Sequence, residues 1–173
     1  MEQEESKEDS DAESVELDPQ EFVFLTDLSG SMYWGDKAIS MAKEALKIFI
    51  HSLPEGSKFN LCTFGSHHSF LFPGPVDYTE ETMLKAIEDV EQYDEGERCM
   101  GGTEIYEPLS VILNLKRETE MKRQIYLLTD GAVWNTEGTI QLAEKYALAT
   151  NSRIHTFGVG SGASTELVKG IAQ

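Results

Sequence analysis

The chain is poor in basic residues. Against 31 Asp and Glu stand 14 Lys and Arg, a formal net charge of −17 over 173 residues. That sign speaks against nucleic acid, whose phosphates reward the opposite charge, and equally against a docking site for anionic lipid. Long apolar runs are also missing. None approaches the roughly 18–20 residues of a membrane span, so no membrane insertion is expected. The first residues are rich in Glu and Asp where a signal peptide needs a basic and then an apolar stretch. The expected location is therefore cytoplasmic. Cysteine is scarce: Cys62 and Cys99, without CxxC spacing, exclude a disulfide framework and read as reduced thiols. The four histidines, His51, His67, His68 and His155, have no ligand spacing, and adjacent residues on a strand point to opposite faces.

What is present divides in two. Residues 1–20 form an acidic leader or linker with almost nothing to bury. Residues 21–173 alternate strand-like and helix-like segments, enough for one domain with its own core. Phe22–Thr26 is a short apolar run ending at Asp27, which suits a strand buried on both faces. Asp36 can cap a helix with Ile39, Ala42, Leu46, Phe49, Ile50 and Leu53 inward. Phe59–Phe64 reads as a strand, Ser69–Phe72 as a short edge strand, and Thr79 as the cap of an acidic-started helix. Thr103 opens a helix with Ile105, Leu109, Ile112 and Leu113 inward, and Pro108 falls near its first turn. Gln124–Thr129 is a buried strand, a helix follows around Ile140 to Ala147, then a strand over Arg153–Val159 and a helix from Ser164 to Ile171. The expected architecture is α/β: a doubly wound, mostly parallel sheet with helices on both faces and a short antiparallel edge strand. Leu25, Phe49, Leu61, Ile112, Leu127 and Phe157 are expected in the core.

In such a sheet ligands bind beyond the carboxyl ends of the strands, where the strand order reverses. Three polar segments belong there: Asp27-Leu28-Ser29-Gly30-Ser31, Gly101-Gly102-Thr103 and Thr129-Asp130-Gly131. Their donors are all oxygen, which selects a hard divalent cation such as Mg2+, with Mn2+ or Ca2+ as alternatives. Asp27, Ser29 and Ser31 are two apart, so an extended chain would point them the same way, with Gly30 allowing a tight turn. A polar loop cluster without metal is the bland alternative. Gly158-Val159-Gly160-Ser161-Gly162 lacks the final glycine of GxGxxG and reads as a turn. Tyr33, Trp34 and Trp134 lie just beyond the polar loops and read either as a binding rim or as loop packing. Glu88, Glu91 and Asp94 read as a solvated helix face.

The order DxSxS, Thr at a helix start, Asp-Gly after a strand resembles the metal-ion-dependent adhesion site (MIDAS) of von Willebrand factor type A domains. The resemblance covers about Glu21 to Gln173 and fills all five positions: Asp27, Ser29, Ser31, Thr103 and Asp130. It implies a Rossmann-like fold in which Ser29, Ser31 and Thr103 touch the metal through hydroxyls. Asp27 and Asp130 would act largely through waters and orient those hydroxyls. With neutral hydroxyls innermost, the cation stays electrophilic and attracts an outside carboxylate. The implied function is binding of a protein partner presenting Asp or Glu, without catalysis. The alternatives are a Mg-dependent phosphoryl-transfer enzyme, against which no Lys or Arg sits in the three loops, and a scaffold whose metal only stiffens them. Within the family, Asp27–Met32, Gly101–Ile105, Phe157–Gly160 and Leu167–Ala172 resemble the branch that accompanies inter-alpha-trypsin-inhibitor-type (VIT) domains, whose members are in several cases intracellular. Members usually continue into a last edge strand and helix, which this sequence is expected to lack. The leader offers carboxylates that can compete for an open metal position, although it enters at the opposite end of the first strand.

Overall fold

The computed structural model describes residues 18–34, 38–117, 120–131 and 136–160. Its elements, in chain order, are β1 (Glu21–Asp27), α1 (Ala38–His51), β2 (Lys58–Phe64), β3 (His68–Phe70), β4 (Val76–Asp77), α2 (Glu80–Glu91), α3 (Tyr106–Asn114), β5 (Arg123–Thr129), α4 (Thr136–Ala149) and β6 (Ser152–Gly158). Short 3-10 turns occupy Gly30–Met32 and Gly96–Arg98.

The sheet runs β3-β2-β1-β5-β6, with β4 also pairing β2. β1–β2, β1–β5 and β5–β6 are parallel, and β3 and β4 run antiparallel to β2. The mostly parallel, doubly wound architecture expected from the sequence is thus present. Every residue of β1 is buried, as a strand covered on both faces requires. Alternation sorts its side chains: Phe22 and Phe24 join a core with Ala42, Leu46 and Ile50 of α1 and Ala86 and Val90 of α2. Val23 and Leu25 join a second core with Leu109 and Ile112 of α3 and Leu142 and Ala143 of α4. Helices therefore lie on both faces.

Several expectations need adjustment. Of the six core residues named from the sequence, Leu25, Leu61, Ile112 and Leu127 are buried, whereas Phe49 and Phe157 are only partly so. These two rings meet at a tilt of 48°, 4.9 Å between centroids, at the flank of the first core. The edge strand closes at Phe70, and β4 was not foreseen, because two residues carry no readable alternation. Thr79 caps α2 as expected, in a capping box completed by Thr82. The helix-face acids Glu88, Glu91 and Asp94 are exposed as expected, and Lys43 in addition bridges Glu91 and Asp94 at 3.1 and 3.0 Å, joining α1 to the end of α2. The expected Asp36 cap and the Ser164–Ile171 helix lie outside the described residues.

The two thiols differ sharply. Cys62 is buried, and burial pushes it up to about 12; Cys99 is exposed. Because thiolate is the reactive form, a disulfide reagent should label one thiol promptly and the second only after denaturation. Two fast thiols in the native chain would contradict this burial.

Candidate metal centre

The strand order reverses at β1, whose neighbours β2 and β5 are separated in sequence, so the carboxyl ends of β1, β2 and β5 form the expected crevice. Asp27 closes β1 and is fully buried. Its Oδ1 accepts the Ser29 N–H at 2.8 Å, and its Oδ2 accepts the Thr129 hydroxyl at 2.6 Å. Both oxygens of Asp27 are thereby oriented by the chain itself. Thr129 Oγ1 accepts the Gly131 N–H at 3.0 Å, so one hydroxyl joins Asp27 to the turn that carries Asp130. Asp130 is also buried.

Ser29 is buried and Ser31 exposed, and their hydroxyls lie 3.1 Å apart. An extended chain does not produce this convergence. Ser29 is extended (φ −68, ψ 164), but the chain then turns into the 3-10 segment, and the turn brings Ser31 round. Nor does the turn demand glycine at position 30: an added Cβ there would meet Gly101 O and Trp34 only at ordinary contact distances. Gly30 contributes instead through its N–H, which donates to Gly101 O at 2.8 Å.

Thr103 is brought to the same end by a backbone lattice. Met100 N–H donates to Leu28 O at 2.7 Å, Ser66 N–H to Met100 O at 2.8 Å, and Glu104 N–H to Gly65 O at 2.8 Å. The Gly102 N–H donates to Ser66 Oγ at 2.8 Å. These bonds hold residues 100–104 as a loop, so α3 begins at Tyr106 and not at Thr103 as expected. Thr103 itself is buried. The loop after β2, Gly65-Ser66, thus connects two site loops and was missed in the sequence. The available signal was its place directly after a strand on the ligand-binding side. Thr129 was visible only as part of its Thr-Asp-Gly run.

Electrostatically, the site is poised for a cation. Burial pushes the Asp27 carboxyl up to about 6, opposed by hydrogen bonds from Ser29 and Thr129, and the nearby Asp130 charge raises it further. A divalent cation would offset the cost of two neighbouring buried carboxylates. Among the described residues no group of three His, Cys, Asp or Glu could hold a metal. The donor set here is instead two carboxylates and three hydroxyls, which fits a hard cation. At the rim, Trp34 is 78% exposed, while Tyr33 is partly buried and its hydroxyl donates to Tyr93 O at 2.7 Å. Trp134 lies outside the described residues.

A model of the von Willebrand factor type A domain family matches residues 20–173. The chain belongs to this family. A von Willebrand factor A domain-containing protein of Dictyostelium discoideum is 40% identical over 153 residues, covering 88% of this chain and 16% of that protein. Von Willebrand factor A domain-containing protein 5A of Rattus norvegicus is 39% identical over 160 residues, covering 88% of this chain and 19% of that protein. The chain therefore spans less than a fifth of the length of these relatives. Solved structures share the fold at lower identity. Proximal thread matrix protein 1 from the mussel byssus, with a zinc-occupied MIDAS motif, superposes with a TM-score of 0.72 at 22% identity, covering 90% of this chain and 41% of that one. The manganese-loaded TRAP protein of Plasmodium vivax gives 0.65 at 20% identity, with 88% and 62% covered.

Proposed function

We propose that the domain holds one divalent cation through Asp27, Ser29, Ser31, Thr103 and Asp130 and uses it to bind an Asp or Glu side chain of a protein partner. The reading is supported by Asp27, buried and oriented from both oxygens, by the Ser29 and Ser31 hydroxyls 3.1 Å apart, and by the hydrogen bonds that tie the loop carrying Thr103 to the end of β1. Mg2+ is the ion we favour, with Mn2+ or Ca2+ able to substitute. Manganese and zinc in two proteins of the same fold support use of a divalent cation. When bound, the cation supplies an electrophilic position for an external carboxylate. The chain's own part is to hold three hydroxyls toward that position, and to keep Asp27 fixed behind them. Trp34, exposed beside this end, would contact the partner together with Tyr33 and Trp134. We further read the parent as a cytoplasmic, VIT-associated protein.

A phosphoryl-transfer enzyme is less well supported. Arg98, the cation nearest in sequence to the Gly-Gly-Thr loop, is paired with Asp89 at 2.9 Å and lies over the Tyr93 ring. A generic phosphatase assay in magnesium should be silent.

Metal binding itself is tested by thermal unfolding. Magnesium should raise the transition, because a ligand bound only by the folded state stabilises it by mass action, about 2.7 kcal/mol at a hundredfold excess over Kd. Asp130→Ala should remove the rise and leave the unliganded fold intact. An unchanged magnesium response in that variant would exclude Asp130 from the site.

A further inference from the structure

The opposite end of the sheet carries a feature unrelated to the metal. A cavity of about 330 Å³ opens where β1 begins, beside the starts of β5 and β6 and the end of α4. Gln20, Lys122, Gln124, Leu148 and Arg153 are among its lining residues, and among the described residues no acidic side chain lines it. That is unusual in a chain with more than two carboxylates per cation. Lys43, Lys47, Lys58, Arg98 and Arg123, by contrast, all face described carboxylates. Lys122 and Arg153 are exposed and make no ion pair among the described residues. Leu148 beside them is 89% exposed.

We propose that this basic groove is the docking surface of the chain's own acidic leader. Three observations choose that occupant. Residues 1–18 carry nine carboxylates against Lys7 alone, the complement of the groove's charge. The leader enters the fold at the groove, since Gln20 lines it, so no span has to be crossed. Near its end, Val15-Glu16-Leu17 alternate apolar and acidic side chains, matching a groove lined by Leu148, Lys122 and Arg153. Tethering makes weak ion pairs effective through local concentration. Exposed pairs are individually weak and are screened by salt, so the contact is dynamic and salt-sensitive. This placement keeps the leader's carboxylates away from the metal end, where they would compete with a partner.

The test uses the full chain with Cys99→Ser and Ser10→Cys, a nitroxide label on the new thiol, and amide NMR spectra in magnesium. In low salt, amides of Lys122, Leu148 and Arg153 should broaden, while those of Asp27 to Ser31 and Gly101 to Thr103 remain sharp. Salt of about 0.5 M should abolish the effect. Lys122→Glu with Arg153→Glu, both at exposed positions, should abolish it at low salt with the rest of the spectrum retained. Broadening at the metal end would overturn the proposal in favour of a leader that occupies the cation. Uniform or absent broadening would overturn it in favour of a solvated leader.

Discussion

Replacing Arg123 with Met should lower the unfolding free energy by about 3–5 kcal/mol, the usual result of removing one partner of a buried ion pair. Arg123 and Glu21 are 1% and 4% exposed and face each other across β5 and β1. The guanidinium does more than neutralise Glu21. Its Nη1 donates to the carbonyls of Ile112 at 2.6 Å and Leu115 at 3.3 Å, closing the carboxyl end of α3, where helix carbonyls otherwise lack partners. Arg123→Met therefore leaves a buried carboxylate and loose helix carbonyls together. Glu21→Leu combined with Arg123→Met should recover much of the loss, since an apolar pair avoids the stranded charge. Urea unfolding of the three variants measures this directly. A loss under about 1 kcal/mol for Arg123→Met would show that the pair is not buried as described.

The second large effect is expected at Gly65. A Cβ there would lie 2.4 Å from Met100 Cβ, 2.6 Å from its carbonyl oxygen and 2.8 Å from its carbonyl carbon. Two of these are backbone atoms, so no rotamer change relieves the contact. The 100–104 loop must move, breaking the Ser66 N–H bond to Met100 O and loosening Met100 from Leu28 O. Thr103 travels with that loop. Gly65→Ala should thus cost about 1–3 kcal/mol as an overpacked site and also abolish the magnesium-induced rise in melting temperature. Gly74→Ala is the matched control, since nothing lies within 4 Å of its added Cβ. It should leave both quantities nearly unchanged. A Gly65→Ala variant that keeps the full magnesium response would show that the loop after β2 does not position Thr103.

These two positions mark where the sequence was legible and where it was not. β1 and β5 were readable because a strand buried on both faces leaves a continuous apolar run, and both ran one residue further than expected at their starts. Glu21 and Arg123 are those extra first residues. Charge at a strand end looks like a boundary, and only three-dimensional pairing shows that it is core. The five proposed site residues were legible because their chemistry is local: oxygen donors directly after β1 and β5, and a threonine shortly before α3. How they converge was not. Ser31 arrives by a 3-10 turn and Thr103 by backbone hydrogen bonds from Gly65 and Ser66. Backbone lattices leave no side-chain pattern in the sequence. Gly65 differs from Gly74 only in what its absent side chain would meet.

The most direct measurement is water-proton relaxation in the presence of manganese, which reports the waters coordinated to a protein-bound ion. Manganese added to the full chain should enhance relaxation, and Asp130→Ala should not. Adding a short peptide with a central Asp should then lower the enhancement, because its carboxylate displaces a coordinated water. The same peptide with Asn should leave it unchanged. An equal fall with both peptides, or no enhancement with the native chain, would contradict a cation that recruits an acidic side chain.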